Sequence, residues 1–270
     1  MKKFVKILSL MLAVLLFVCC FTACGDKKEE KTPIVIGYTI YEPMNYLDAN
    51  GKLIGFDTEL AEKVFENLGY KPVFKEIQWD NKYTDVNSGA IDCIWNGFTC
   101  NTADDDGILR STKVDFSYNY MENLQVIVVK DASIKTAEDL KGKIAIAESG
   151  SAGESYAKGF EGISFKGALK QTDGLLEVNA GTADFAVVDA QLAKSYCGKG
   201  DYAALSIVDA LSSDVEYYAV GFKKGSALTA KVNAQFEKLG KDGTIKALAE
   251  KYGLATSAIT DFADQKTVEK

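Results

Sequence analysis

Residues 34–38 have the sequence Ile-Val-Ile-Gly-Tyr, a short run rich in β-branched residues that predicts a β-strand. Residues 57–68 then place apolar side chains at helical spacing, which predicts a helix. Asp57 is expected to cap the start of this helix, and Gly69 to follow its end. A strand, a helix and a second strand at residues 73–77 together are typical of a parallel α/β unit.

The same alternation continues and then starts again at residues 143–147, Lys-Ile-Ala-Ile-Ala. No long linker separates the two series, so they predict two lobes rather than two independent domains. The predicted fold class is therefore α/β with two lobes. The remaining predicted strands are at residues 91–95, 125–129, 163–166, 185–188 and 217–222, and the remaining helices at 80–88, 152–160, 172–180, 190–196, 228–239 and 245–252.

The first 23 residues predict a signal peptide. Three lysines among the first six residues precede an apolar run at residues 7–21, which is short for a membrane-spanning helix. Two small residues precede Cys24, as at sites cleaved by lipoprotein signal peptidase, so Cys24 is predicted to carry a lipid. An ordinary secretory signal with an incidental cysteine is the alternative. With the lipid, residues 24–32 form a charged tether, and the protein is anchored to the cell membrane on its extracytoplasmic side.

The charge and composition exclude several classes of function. The formal net charge is −7, and about −10 without the three leader lysines, which argues against nucleic acid as a partner. The chain has no histidine, the commonest general base and transition-metal ligand, so we expect neither a metal nor another cofactor. Beyond Cys24, Cys93, Cys100 and Cys197 lack metal-ligand spacing. They are predicted to be three buried thiols, with one disulfide plus a free thiol as the alternative.

Five short motifs follow one another along the chain. They are Tyr-Glu-Pro-Met at 41–44, Gly-Lys-Leu-Ile-Gly-Phe-Asp at 51–57, Gly-Ala-Ile-Asp at 89–92, Val-Asp-Phe-Ser at 114–117 and Lys-Asp-Gly-Thr at 241–244. As an ordered set they resemble the polar amino-acid substrate-binding proteins of ABC importers, the bacterial extracellular solute-binding protein family 3, in its lipoprotein form. The resemblance covers about residues 34–254.

This resemblance implies a type II periplasmic-binding-protein fold, in which two α/β lobes are joined by two crossovers. The crossovers are expected near residues 120–125 and 214–217. Lobe 1 then comprises residues 33–122 and 216–270, and lobe 2 comprises residues 123–215.

The resemblance also implies a binding protein rather than an enzyme. A monomer would hold a free polar amino acid, or a cystine-like derivative, between its lobes and deliver it to an ABC permease with its ATPase. A ligand sensor and a dehydratase-like enzyme on the same scaffold are the alternatives. The lack of histidine and of an obvious acid–base pair argues against the enzyme.

A free amino acid carries a carboxylate and an ammonium on one carbon, so its pocket needs a cation and an anion close together. Arg110 is the only arginine among 31 basic residues, and arginine pairs with carboxylates through two parallel hydrogen bonds. It also lies five residues before Asp115, where the family's carboxylate-binding arginine lies. A lone surface arginine is the alternative. An insertion at residues 101–109 precedes it, containing Asp104-Asp105-Asp106, which is expected to be a solvated loop and could displace Arg110.

The predicted anion is Asp189, which directly follows the strand at residues 185–188. Ligands of open α/β sheets bind at the carboxyl ends of strands, and the family's ammonium-binding aspartate occurs in this context. An N-cap for the next helix is the alternative role, and both roles could hold. The resemblance adds the carbonyl of Gly97 and the hydroxyl of Thr99 as ammonium ligands. It also places free N–H groups of Ser151 and Ala152, at a helix N-terminus, near the carboxylate.

Aromatic side chains are expected to flank the side chain of the ligand. The resemblance places Tyr41 and Trp79, both in predicted loops, at these positions, and Asn96 completes the candidate set. Trp95 falls within a predicted strand and is interpreted as a core residue. Tyr38 occupies a position where some members carry an acid that recognises a cationic side chain, so it disfavours a basic amino acid as ligand.

Overall fold

The computed structural model describes residues 31–267. The predicted signal peptide and Cys24 lie outside the described residues. In chain order, the strands of this part of the chain are β1 (Pro33–Tyr38), β2 (Tyr46–Leu47), β3 (Leu53–Ile54), β4 (Lys71–Glu76), β5 (Cys93–Ile94), β6 (Asp115–Phe116), β7 (Met121–Asn123), β8 (Gln125–Val129), β9 (Ile144–Glu148), β10 (Ser164–Ala168), β11 (Phe185–Asp189), β12 (Ser206–Val208), β13 (Glu216–Tyr218) and β14 (Gly221–Phe222).

The α-helices of the same residues alternate with these strands much as the periodicity predicted. They are α1 (Phe56–Asn67), α2 (Lys82–Ser88), α3 (Arg110–Lys113), α4 (Ala152–Lys158), α5 (Gln171–Ala180), α6 (Ala190–Tyr196), α7 (Leu228–Lys241) and α8 (Thr244–Lys251). A short 3₁₀ helix, Trp79–Asn81, precedes α2, so the predicted helix at 80–88 is two elements. Among the described helices, none is long and apolar enough to cross a bilayer.

Two five-stranded sheets form the centres of two lobes. Lobe 1 contains the sheet with strand order β4-β1-β5-β14-β6, and lobe 2 contains the sheet with order β10-β9-β11-β8-β12. In both sheets three neighbouring strands are parallel, whereas β14 in lobe 1 and β8 in lobe 2 run antiparallel to their neighbours. The prediction of parallel sheets is therefore wrong for these two strands. Each of them follows a crossover from the other lobe, and so enters its sheet from the opposite direction.

The two crossovers pair with each other between the lobes. Strands β7 and β13 form a two-stranded antiparallel ribbon, with Asn123 opposite Glu216. The predicted strand at residues 217–222 is consequently two strands, one in this ribbon and one in the sheet of lobe 1. A two-lobed α/β fold with two crossovers is confirmed, and the residue boundaries assigned to the lobes stay a prediction.

Asp57 does not cap helix α1, contrary to the prediction. Gly55 occupies the N-cap with φ +128°, and a Cβ at this position would lie 2.1 Å from the carbonyl oxygen of Met44. Asp57 is fully buried, and its Oδ2 accepts hydrogen bonds from the Gly97 N–H at 2.7 Å and the Tyr120 hydroxyl at 2.8 Å. Burial raises the pKa of this carboxyl to about 7. Asp57 therefore fixes the loop that carries Gly97.

Trp95 is a core residue of lobe 1, as interpreted from the sequence. It is fully buried and packs edge-on against Phe65 and Phe236, with ring centroids 5.9 and 5.7 Å away. The three cysteines beyond the leader are free thiols, but only Cys93 is buried, whereas Cys100 and Cys197 are partly exposed. The predicted burial of all three thiols is therefore wrong for two of them.

Candidate functional site

A cavity of about 260 Å³ lies between the two lobes, at the carboxyl ends of strands β5, β9 and β11. Eight of the nine candidate site residues line the cavity, and Tyr41 does not. The lining residues are Trp79, Asn96, Gly97, Thr99 and Arg110 from lobe 1, and Glu148, Ser151, Ala152, Gln171 and Asp189 from lobe 2.

Arg110 is 1% exposed at the start of helix α3, and protein groups already occupy part of its guanidinium. Its Nε donates to Asp104 Oδ1 at 2.8 Å, and its Nη1 to the carbonyl of Thr99 at 3.2 Å. Its Nη2 donates to the carbonyl of Gly150, in lobe 2, at 3.4 Å. A guanidinium has five N–H groups, so one N–H on each Nη atom is left to bind a ligand.

The insertion at residues 101–109 positions Arg110 instead of displacing it. Asp104 is only 8% exposed and binds both Arg110 and the ammonium of Lys113, each at 2.8 Å. Burial raises the pKa of Asp104, but Arg110 and Lys113 outweigh burial and hold this pKa below its usual value. The expectation of a solvated loop is therefore wrong for Asp104. Sequence spacing did not predict the Asp104–Arg110 ion pair, because the pair forms only when the loop folds back onto Arg110.

Asp189 is buried at the end of β11 and accepts hydrogen bonds from three amide side chains. Its Oδ1 accepts from Asn123 at 2.7 Å and Gln125 at 2.6 Å, and its Oδ2 accepts from Gln171 at 2.5 Å. It occupies the N-cap position of α6, but its side chain makes no capping hydrogen bond. The Tyr218 side chain is a fourth hydrogen-bonding neighbour of this carboxylate, so a ligand ammonium would share the Asp189 oxygens with these donors or displace one of them.

Glu216 is a second buried carboxylate beside Asp189 that sequence reasoning missed. Its Oε1 accepts from the Thr99 hydroxyl at 3.0 Å and from Asn123 and Gln125 at 2.7 Å each. Burial, and then repulsion by Asp189, raise the pKa of Glu216 to about 7. This network links lobe 1, a crossover strand and lobe 2. The Thr99 hydroxyl donates its proton here, which leaves its oxygen able to accept from a ligand.

Gly97 has a left-handed backbone with φ +58°, and a Cβ there would lie 2.6 Å from Tyr41 Cε1. Both observations explain why this position needs glycine. Tyr41 lies behind Gly97, is 1% exposed, and its hydroxyl lies 2.7 Å from that of Tyr218. The structure therefore places Tyr41 one layer away from the cavity.

Asn96 lines the cavity, but its side chain is engaged within lobe 1. The Nδ2 of Asn96 donates to the Thr39 carbonyl and to Asn45 Oδ1, both at 2.8 Å. Its Oδ1 accepts from the Thr39 hydroxyl at 2.7 Å. The amide of Asn96 thus holds the loop in place.

The turn at Ser151 offers fewer free groups than the resemblance implied. The Oγ of Ser151 accepts from the N–H of Glu154 at 3.1 Å and caps helix α4. The main-chain N–H of Ser151 donates to the carbonyl of Glu148 at 3.1 Å. Ala152 contributes only its main chain and a methyl group to the cavity wall.

Glu148 and Gln171 also line the cavity and were missed. Glu148 is 3% exposed, and its Oε1 has no hydrogen-bond partner among the described residues. Burial, and then repulsion by Asp189, raise the pKa of Glu148 to about 8. Asp189 was identified as an acidic residue at the carboxyl end of an apolar strand. Glu148 has the same pattern, because it ends the apolar strand β9 next to β11.

Polar contacts hold the lobes closed around the cavity. Lys82 of lobe 1 is 1% exposed and donates to the carbonyl of Gly150 in lobe 2 at 2.8 Å. Burial, and then repulsion by Arg110, lower the pKa of Lys82 to about 7. Trp79 is 5% exposed and forms one wall, with the Lys82 ammonium 5.2 Å from its ring centroid. Two exposed ion pairs also connect the lobes, Glu76–Lys170 at 2.6 Å and Asp105–Lys158 at 2.9 Å.

Comparisons with known proteins relate this chain to amino-acid-binding proteins. The "Probable amino-acid ABC transporter-binding protein" of Haemophilus influenzae is 30% identical, and the alignment covers 92% of this chain and 96% of that protein. The L-cystine-binding protein TcyJ of Escherichia coli is 28% identical, with 84% and 85% coverage. These relatives are binding proteins rather than enzymes.

Solved structures show the same architecture. An ancestral arginine-binding protein bound to arginine superposes with a TM-score of 0.75 at 33% identity, covering 82% of this chain and 98% of that one. A substrate-binding protein from Streptococcus pneumoniae with bound histidine gives a TM-score of 0.72 at 31% identity, with 82% and 92% coverage. Residues 34–255 match the family model of the bacterial extracellular solute-binding proteins, family 3. This chain is therefore a member of that family, whose amino-acid-binding proteins serve ABC transporters.

Proposed function

We propose that this protein captures a free polar amino acid, or a cystine-like derivative, between its lobes and delivers it to the permease of an ABC importer. The observation that carries the proposal is that Arg110 and Asp189 line one small cavity from opposite lobes. Arg110 keeps two N–H groups beyond its contacts with the protein, and Asp189 is a buried carboxylate without an ion pair among the described residues.

The α-carboxylate of the ligand binds the two remaining N–H groups of Arg110, since these lie on the two Nη atoms and form a fork. The α-ammonium donates to Asp189, to the Thr99 hydroxyl and to the carbonyl of Gly97. These partners belong to both lobes, so the ligand binds the closed state more tightly than the open state. The closed, loaded form is the one that docks on the permease.

Relatives with known ligands support the chemistry. The names or titles of similar proteins specify arginine, cystine or histidine. All three ligands share the α-ammonium and α-carboxylate that the Arg110–Asp189 arrangement would bind, and they differ in the side chain.

Attachment through Cys24 and a monomeric state complete the proposal. The lipid would keep the binding protein close to the permease on the extracytoplasmic side of the membrane. Mass spectrometry of the mature protein should show a diacylglyceryl group on Cys24, and a mature N-terminus at another residue would contradict the anchor.

Isothermal titration calorimetry tests the function, with the chain that follows Cys24 titrated against the twenty amino acids and cystine. We expect at least one polar amino acid to bind with a one-to-one stoichiometry. No heat of binding with any of them, from protein shown to be folded by its thermal unfolding, would refute the proposal.

A further inference from the structure

Besides Asn96, Ser151 and Ala152, whose polar groups are engaged within the protein or belong to the main chain, three residues of the cavity wall have no role in binding the backbone groups of the ligand. They are Trp79 from lobe 1 and Glu148 and Gln171 from lobe 2. Gln171 donates to Asp189 and Trp79 is an apolar wall, so Glu148 is the charged group that the side chain of the ligand meets. The chemistry at Glu148 therefore determines which side chains are accepted.

The strand order places Glu148 beyond Asp189 in the direction of the sheet edge. Strand β9, which ends at Glu148, lies between β11, which ends at Asp189, and the edge strand β10, with Ala168 opposite Glu148. Neighbouring strands are about 4.8 Å apart. A ligand whose ammonium binds Asp189 can thus extend its side chain across the end of β9.

The charges around the cavity are unbalanced. Among residues 31–267, Glu148, Asp189 and Glu216 form no ion pair with lysine or arginine, and Arg110 is paired with Asp104. A zwitterionic ligand adds an ammonium beside Asp189 but leaves Glu148 without a partner. Ionising a buried carboxyl group that has no partner is costly, and a second positive charge on the ligand would offset that cost.

We propose that Glu148 recognises a positively charged group on the ligand side chain, so that the preferred ligands are cationic amino acids such as arginine, lysine and ornithine. This inference rests on the proposed amino-acid binding. It replaces the expectation drawn from Tyr38, which does not line the cavity and packs edge-on against Phe74 with ring centroids 6.2 Å apart. The acidic group that recognises the cationic side chain is instead Glu148, in lobe 2.

Protonation gives this recognition a pH dependence. The charged groups that act on Glu148 are Asp189 on β11, Lys82 on α2, Asp173 on α5 and Lys170 before α5. With a pKa of about 8, Glu148 is mostly protonated at neutral pH in the empty cavity. A cationic side chain stabilises the carboxylate, so its binding releases a proton. Affinity for arginine then rises from pH 6 to pH 8.

Arginine and citrulline separate this inference from the proposed function, because they have nearly the same shape and differ in charge. Calorimetry of the wild type at pH 6 and pH 8 should show arginine binding at least about tenfold more tightly than citrulline at pH 8. Glu148→Gln should lower the affinity for arginine by about 30-fold or more, and it should change the affinity for citrulline by no more than about threefold. Titrations in buffers of different ionisation enthalpy should detect proton release in the wild type and not in Glu148→Gln.

The control is Glu177→Gln, the same substitution on the outer face of lobe 2, where Glu177 pairs with Lys166. It should leave both affinities unchanged. Three results would overturn the role of Glu148 and leave the proposed function standing. They are wild-type protein that binds citrulline as tightly as arginine, an unchanged ratio of the arginine and citrulline affinities in Glu148→Gln, and binding of neutral amino acids alone. No binding of any amino acid would instead refute the proposed function.

Discussion

The two walls of the cavity differ in how their polar groups are satisfied. In lobe 1, Arg110 is paired with Asp104, the amide of Asn96 is bound within its own lobe, and the N–H of Gly97 donates to Asp57. In lobe 2, Glu148 and Asp189 are buried without any ion pair in the described part of the chain. Lobe 1 therefore provides a rigid frame, whereas lobe 2 provides buried carboxyl groups that have no positively charged partner in the protein.

This difference indicates a division of roles. A frame whose polar groups are already bound loses little on closing and orients the ligand, since its conformation is fixed before binding. Uncompensated carboxylates gain most when a positively charged ligand arrives, so they determine how strongly binding favours closure. The following changes test the division, starting with the largest expected effect.

Replacing the main anion of the lobe 2 wall should have the largest effect. Asp189→Asn removes the charge that faces the ligand ammonium, and we expect the affinity to fall by about 2–5 kcal/mol, as for other buried charge pairs. Calorimetry measures the loss. The matched control is Asp184→Asn at the other, exposed end of β11, where the affinity should not change. Equal losses in the two variants would mean that Asp189 acts only on stability.

A small change in the frame of lobe 1 should cost stability. Gly97→Ala combines a strained backbone with a contact of 2.6 Å to the ring of Tyr41, so we expect the free energy of unfolding to fall by at least about 2 kcal/mol. Urea denaturation measures this. Gly107→Ala is the control, because Gly107 has φ +75° but open space around its Cβ. It should cost about 1 kcal/mol. Equal costs would show that the Tyr41 contact relaxes freely.

The fork of Arg110 can be tested without removing its charge. Arg110→Lys loses the paired N–H groups, and the affinity should fall by about 1.5–3 kcal/mol, the value of hydrogen bonds to charged groups. Lys113→Gln is the control, because Lys113 binds the same Asp104 but does not line the cavity. An unchanged affinity in Arg110→Lys would show that the guanidinium does not hold the ligand.

The smallest effect is expected where the insertion contacts the other lobe. Asp105 and Lys158 are 45% and 40% exposed, and exposed ion pairs contribute about 0–1 kcal/mol. Asp105→Asn should therefore lower ligand affinity by no more than about fivefold, and only at low salt. Glu138→Gln breaks an exposed pair with Lys141 within lobe 2 and should have no effect on affinity. A larger loss in Asp105→Asn would make this pair part of the closing mechanism.

The positions of residues that end regular strands, next to the cavity, were predictable from the sequence. Asp189 follows a clear apolar run, and the carboxyl ends of parallel strands meet at one edge of a sheet, so its position at the cavity follows from the pattern. Glu148 obeys the same rule and could have been identified in the same way. Arg110 was found through its isolation in a lysine-rich chain and through the family motif that follows it.

Residues whose roles depend on distant partners were not predictable. Asp57 has the local pattern of a helix cap, but its carboxylate binds Gly97 and Tyr120, which lie 40 and 63 residues further along the chain. Asp104 has the composition of a solvated loop, but it lies against Arg110. Tyr41 is in a loop, as predicted, yet packs behind Gly97. Local sequence carries no information on such contacts, because they form only when the elements pack together.

The sequence by itself determined the order of the longer strands and helices, the two lobes, the family and the position of Asp189 at a strand end. Each of these follows from local periodicity, chain direction or an ordered set of motifs. Only the tertiary structure decided the balance of charge at the two walls. The fold pairs Arg110 with Asp104 and leaves Glu148 buried without a partner, and pairing and burial are set by how residues distant in sequence come together.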